Sequence, residues 1–114
     1  MNKRNNRLYV NDILESIKKI ENYTADLSYD DFIKNDLVRD AVLRNLEVIG
    51  EAAKSIPDEV RGEYSDVPWR RIIGLRNIVI HEYFGVDFEN IWKIIKENIP
   101  EVKPFIEQIS KKLK

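Results

Sequence analysis

Residues 68–85 read PWRRIIGLRNIVIHEYFG. Taken alone, the segment RNIVIHEYF (76–84) is β-branched enough to suit a strand. The longer run favours a helix, because Pro68 fits a first helical turn and Trp69, Ile72, Ile73, Val79, Ile80 and Tyr83 gather on one side at about 100° per residue. Gly85 then marks a helix end. The stretch predicts a helix from just after Pro68 to near Gly85. No alternating pattern elsewhere in the chain argues for a sheet, so this reading makes the fold all-α.

Working outward, Val10, Ile13, Leu14, Ile17 and Ile20 recur at helical spacing and predict a first helix from about Leu8 to Tyr23. Ser28 and Asp31 resemble a capping box and open a helix of one to two turns through Phe32 and Ile33. Asp36 can cap a long helix to about Ser55, which Pro57 stops, and a short helix is expected from Pro57 to Tyr64. Downstream, Asp87 can cap a helix through about Asn98. Pro100 begins a last one, whose basic end (Lys111, Lys112, Lys114) suits a helix C-terminus. There is no repeat, linker or low-complexity segment. The expectation is an antiparallel bundle of about five to seven helices in one domain, residues 1–114.

Composition narrows the function. The chain has 114 residues, 43% of them hydrophobic, with 19 Lys plus Arg against 20 Asp plus Glu. A net charge of −1 provides no global field to hold nucleic acid or an anionic membrane, so a polyanion would need a local cluster. Without cysteine, disulfides, Cys-based zinc sites and thiol catalysis are excluded. One histidine rules out a multi-His metal site within a chain, and no metal or other cofactor is expected. No apolar stretch approaches a membrane span, and a cytoplasmic location is the default.

Polar residues interrupt the apolar faces at a few positions. Measured from Trp69, Arg76 falls at roughly 340°, in the middle of the apolar stripe of its helix. A guanidinium keeps its charge there only with a carboxylate, an anionic ligand or a cleft open to water. Arg70, Gly74, Asn77 and His81 form a neighbouring strip at roughly 80° to 140°. That strip reads either as solvated surface or as a contact with another helix, and Gly74 suits a close approach across a dimer. On the third helix Asn45 lies within the apolar face and must find partners. Arg44, Glu47 and Glu51 form its charged face, with Glu51 either solvated or orienting the Arg76 or His81 side chain.

The segment Arg76–Tyr83, RNIVIHEY, resembles the RX4HXY motif of the HepT-like toxins, a branch of the HEPN superfamily of α-helical ribonucleases. The likeness extends over roughly residues 8 to 103, including YVNDILESIKKIENYT, VRDAVLRNLEVIGEAAKSIP, VPWRRIIGLRNIVIHEYFGVD and the helix of Trp92. It implies a HEPN-like bundle and a metal-independent endoribonuclease that works as a homodimer, the motifs of two chains lining one cleft. Arg76 and His81 would be catalytic, with Asn77 in support and Glu51 and Asn45 as further supporting residues. Its partner would be a minimal nucleotidyltransferase antitoxin in a type VII-like pair, which silences the toxin by transferring AMP to the motif tyrosine, here Tyr83.

The chemistry of the residues agrees. Cutting RNA without metal needs a group of near-neutral pKa to move the 2′-OH or leaving-oxygen proton, for which His81 is the one default, and a fixed cation on the phosphate, for which Arg76 has the fork geometry. Arg70 and Arg71 either guide the RNA backbone, transfer RNA being one candidate, or are plain surface. In a competing class, the bundle is a non-catalytic binding module or scaffold for a nucleotidyltransferase and Arg76 pairs with Glu51 as a structural bridge.

Overall fold

A computed structural model describes residues 3–81, 85 and 87–113, with the backbone alone for 3–5 and 79–81. Among the described residues there is no strand, and the expected all-α bundle is what is observed. The first helix, α1 (Lys3–Thr24), begins more than a turn earlier than its hydrophobic pattern indicates. Its buried stripe is Asn6, Val10, Ile13, Ile17, Ile20 and Thr24, so polar residues extend it at both ends. Periodicity counted on apolar residues misses such ends. Thr24 satisfies its hydroxyl by donating to the Ile20 carbonyl at 2.8 Å.

The helix α2 (Tyr29–Lys34) opens on the expected capping box: the Ser28 hydroxyl accepts from the Asp31 amide at 3.1 Å, and the Asp31 carboxylate accepts from the Ser28 amide at 3.2 Å. The long helix α3 (Asp36–Ser55) is capped by Asn35 and not by Asp36, which is its first residue. The Asn35 side-chain oxygen accepts from the Val38 amide at 3.0 Å. Asn35 also closes α2, donating its backbone N–H to the Phe32 carbonyl, so one extended residue ends one helix and starts the next. Short α4 (Asp58–Glu63) has Pro57 just outside it. The helix α5 (Trp69–His81) is anchored at its start by the Trp69 indole, which donates to the Arg61 and Tyr64 carbonyls at 3.1 and 3.0 Å. Its expected end near Gly85 falls on residues 82–84, which lie outside the described residues.

Pro100 does not begin a new helix. After α6 (Phe88–Lys93), capped by Asp87 as expected, the chain passes through a π-helical turn (Ile94–Asn98) straight into α7 (Ile99–Lys112). Lys93, Ile94, Asn98 and Ile99 all keep right-handed helical dihedrals, and the Ile99 N–H donates five residues back, to Ile94. A proline inside a helix lacks a donor and crowds the carbonyl four residues earlier; the wider π turn just ahead of Pro100 relieves that crowding. The result is one continuous C-terminal rod.

The α1–α3 pair forms the centre, with α5 packed on α3 and α7 packed on α1. Fully buried Ile13, Ile17, Ile20, Leu46, Ile106 and Phe32 fill the space between. Phe32 packs on the rings of Trp92 (5.0 Å between centroids) and Phe88 (6.2 Å), fixing α2 to the rod. Along α7, Lys103 donates to Glu21 at 2.7 Å and Ser110 to Asn11 at 2.9 Å. The hydrogen bond to Glu21 raises the Lys103 ammonium above the ordinary lysine pKa. No helix among the described residues is long and apolar enough to cross a membrane.

Candidate active site on the fifth helix

The site begins with a glycine on α3. A Cβ at Gly50 would stand 2.7 Å from the Arg76 backbone nitrogen, 3.0 Å from the Arg76 Cβ and 3.2 Å from the Ile73 carbonyl oxygen. The backbones of α3 and α5 meet at this point because there is no side chain between them. The next residue, Glu51, points its carboxylate at the Arg76 guanidinium, and Glu51 Oε1 and Arg76 Nε form an ion pair. The pair engages the Nε edge as a charge contact, without the alignment of a hydrogen bond. The Nε atom itself is buried, while the side chains of Arg76 and Glu51 are 36% and 50% exposed to water. Among the described residues, nothing accepts a hydrogen bond from the terminal guanidinium nitrogens of Arg76.

Arg76 is therefore not in the middle of the core face, as the helical wheel suggested. The most buried described side chains of α5 are Ile72 and Leu75, at roughly 300° and 240° on the same wheel. The face turned to the core is centred some 70° away from Arg76, which stands at its edge. The sequence cannot reveal this shift, because isoleucines surround most of the helix and only the position of α3 selects the buried ones.

Of the other candidates, Asn77 is exposed one residue beyond Arg76. Arg70 and Arg71 are both exposed, near the start of α5. Asn45 stands about 140° around α3 from Gly50, on the flank away from the α5 contact. Its amide donates to Ala41 of its own helix at 2.8 Å and is not brought to the Arg76–Glu51 pair. Arg44 and Glu47 pair with each other at 3.3 Å on the charged face. The backbone of His81 closes α5, five residues after Arg76; its side chain and the whole of Tyr83 lie outside the described residues. No group of three His, Asp or Glu residues that could hold a metal ion occurs among the described residues.

Gly74 does not touch a neighbouring helix within the chain, since a Cβ there would meet nothing within 4 Å. It lies on the wall of an apolar groove of about 350 Å³ between α5 and the C-terminal rod. Ile72, Leu75 and Ile78 line one side, Ile94, Ile99 and Val102 the other, with Arg71 and Glu101 as its charged members.

The chain as a whole is similar in sequence to known proteins. The profile of the family described as "Ribonuclease HepT-like" matches residues 13–109. The chain is 45% identical over 107 residues, 94% of its length, to the Methanocaldococcus jannaschii protein named "Putative RNase MJ1380", 98% of which is covered. It is 40% identical over 109 residues, 96% of its length, to the Thermococcus cleftensis protein named "Probable ribonuclease HepT", with 99% of that protein covered. No solved structure matches the chain at a significant level. With the family profile spanning α1 to α7 and including the whole of RNIVIHEY, the chain belongs to the HepT-like ribonuclease family.

Proposed function

We propose that the chain is the toxin of a toxin–antitoxin pair, an endoribonuclease that cuts RNA without a metal ion. One observation carries the reading: in a chain of this family, Arg76 of the RNIVIHEY motif sits at the edge of the core and in contact with water, not sealed inside it. A guanidinium so placed can take a phosphate on its free edge. His81, at the end of the same helix, supplies the near-neutral group. The 2′-oxygen attacks phosphorus as one His81 imidazole takes its proton, the bond to the 5′-oxygen breaks, and that oxygen takes a proton from the protonated His81 of the second copy. The products are a 2′,3′-cyclic phosphate and a 5′-OH end. Arg76 stabilises the charge that builds on the phosphoryl oxygens.

Arg76 and His81 are about 140° apart on one helix, so a single copy does not aim both at one phosphate. A homodimer that brings two α5 helices together solves this, and the apolar groove beside Gly74 supports such a contact. Tyr83 is the acceptor of AMP from a minimal nucleotidyltransferase antitoxin. The added phosphodiester beside Arg76 would occupy the place of the RNA phosphate, blocking the cleft by charge and bulk. The Arg76–Glu51 pair favours a second reading, in which the bundle is a scaffold and the pair a structural bridge.

The deciding experiment incubates wild type and His81→Ala with total RNA and transfer RNA in EDTA. Wild type is expected to cut, and His81→Ala to lose cleavage while melting within a few degrees of wild type. A folded His81→Ala that still cuts sinks the assignment, and a wild type that neither cuts nor arrests growth on expression favours the scaffold.

A further inference from the structure

We infer that Gly50 and Glu51 together are a positioning device for Arg76, fixing which edge of its guanidinium remains free for a phosphate; the inference rests on the ribonuclease reading above. A guanidinium offers two usable edges, one made by Nε with a terminal nitrogen and one made by the two terminal nitrogens. An arginine at a helix surface with four rotatable bonds presents neither in a fixed direction. Here the backbone of α5 is held against α3 by the missing side chain at Gly50, where a Cβ would approach the Arg76 nitrogen to 2.7 Å. The next side chain of α3, Glu51, meets Nε.

Root and Nε edge of the side chain are thus both set by two consecutive residues of another helix. What remains is the terminal edge, and no described residue accepts a hydrogen bond from it. The carboxylate has a cost as well as a use. It stands beside the position of an incoming phosphate and weakens ground-state attraction to it, while keeping the donor fork aligned for the charge that develops in the transition state. Glu51 therefore acts on the chemical step more than on binding. It touches no reacting atom and is a positioning residue, as is Gly50. Lysine at position 76 could not substitute, because it has neither a second edge nor a planar fork.

The test is steady-state cleavage of transfer RNA by wild type, Glu51→Gln, Arg76→Lys and the double variant. Glu51→Gln is expected to lower kcat by about tenfold to a hundredfold with KM unchanged or reduced. In the Arg76→Lys background the same change should cost nothing further, since the edge it positions is absent. A structural role would instead lower activity equally in both backgrounds, and that result overturns the inference. So does a Glu51→Gln enzyme with wild-type kcat, in which case the ribonuclease reading stands alone.

A second readout is independent of activity: in ¹⁵N-labelled protein, the Arg76 Nε–H resonance should shift and exchange faster with water in Glu51→Gln. An unchanged resonance refutes the contact whether or not RNA is cut. Should wild type cut no RNA while the resonance still responds, the ribonuclease reading falls and the catalytic use of the pair falls with it.

Discussion

Gly50 and Gly74 both lie inside helices, where glycine costs about 1 kcal/mol against alanine, and only one of them is required by the fold of a single chain. At Gly50 a methyl group would run into the Arg76 backbone, which cannot move without moving α5. Gly50→Ala is expected to destabilise by about 1 to 3 kcal/mol, as overpacking does. Gly74→Ala meets open space, and in the monomer should be neutral or stabilise by up to about 1 kcal/mol. Urea denaturation of the two variants measures the contrast, and equal effects would refute it. The sequence pointed to Gly74 as a close approach across a dimer, because a glycine inside a helix is costly unless another helix must come near. Nothing in IGEAAKSIP distinguishes Gly50 from its small neighbours, since what makes it necessary is the backbone of another helix. Arg76 itself was legible as a charge out of place, and Glu51 as one of two partners left open for it. Which edge they share was not, because that depends on how α3 and α5 lie together.

At the scale of elements, apolar spacing located the long described helices and capping or proline signals the short ones, and the errors fell at ends and joints where polar residues and prolines decide. The start of α3 is the clearest case. Asn35 and Asp36 are both residues that cap helices well, and a sequence reading has no means to choose between them. The chain does, because Asn35 must also terminate α2 in an extended conformation, which is the backbone an N-cap needs. Asn35→Ala should therefore cost about 1 kcal/mol of stability and Asp36→Ala a few tenths. Thermal or urea melts that reverse this order would return the cap to Asp36. The joint before α7 follows a different logic: Pro100 reads as a helix start, but the π turn at Ile94–Asn98 accommodates it without a break. That continuity matters to the site, because the π turn contributes Ile94 and Asn98 to the groove facing α5.

For the whole molecule, the question is what a groove of about 350 Å³ between α5 and the rod is for. Its walls are isoleucine, leucine and valine, a lining that water solvates poorly. A second copy suits it on two grounds. Arg71 and Glu101 both line the groove, so a twofold pairing can set each arginine against the glutamate of the other copy. The open space at Gly74 lets a helix approach the α5 backbone closely, next to the strip that carries Asn77 and His81. In the proposed dimer the Arg76 of one chain would act with the His81 of the other, which the roughly 140° separation on one helix denies to a monomer. Gly74→Leu puts a side chain into that space without touching its own fold, so its melting temperature as a monomer should be nearly unchanged. Its dimer dissociation constant should rise by about tenfold or more, a loss of roughly 1.4 kcal/mol, and its RNA cleavage should fall in step with the monomer fraction. Sedimentation equilibrium read beside the cleavage assay separates the possibilities. A wild type that is monomeric at micromolar concentration, or a Gly74→Leu monomer that cleaves at the wild-type rate, means that Arg76 and His81 do not need a second chain to act together.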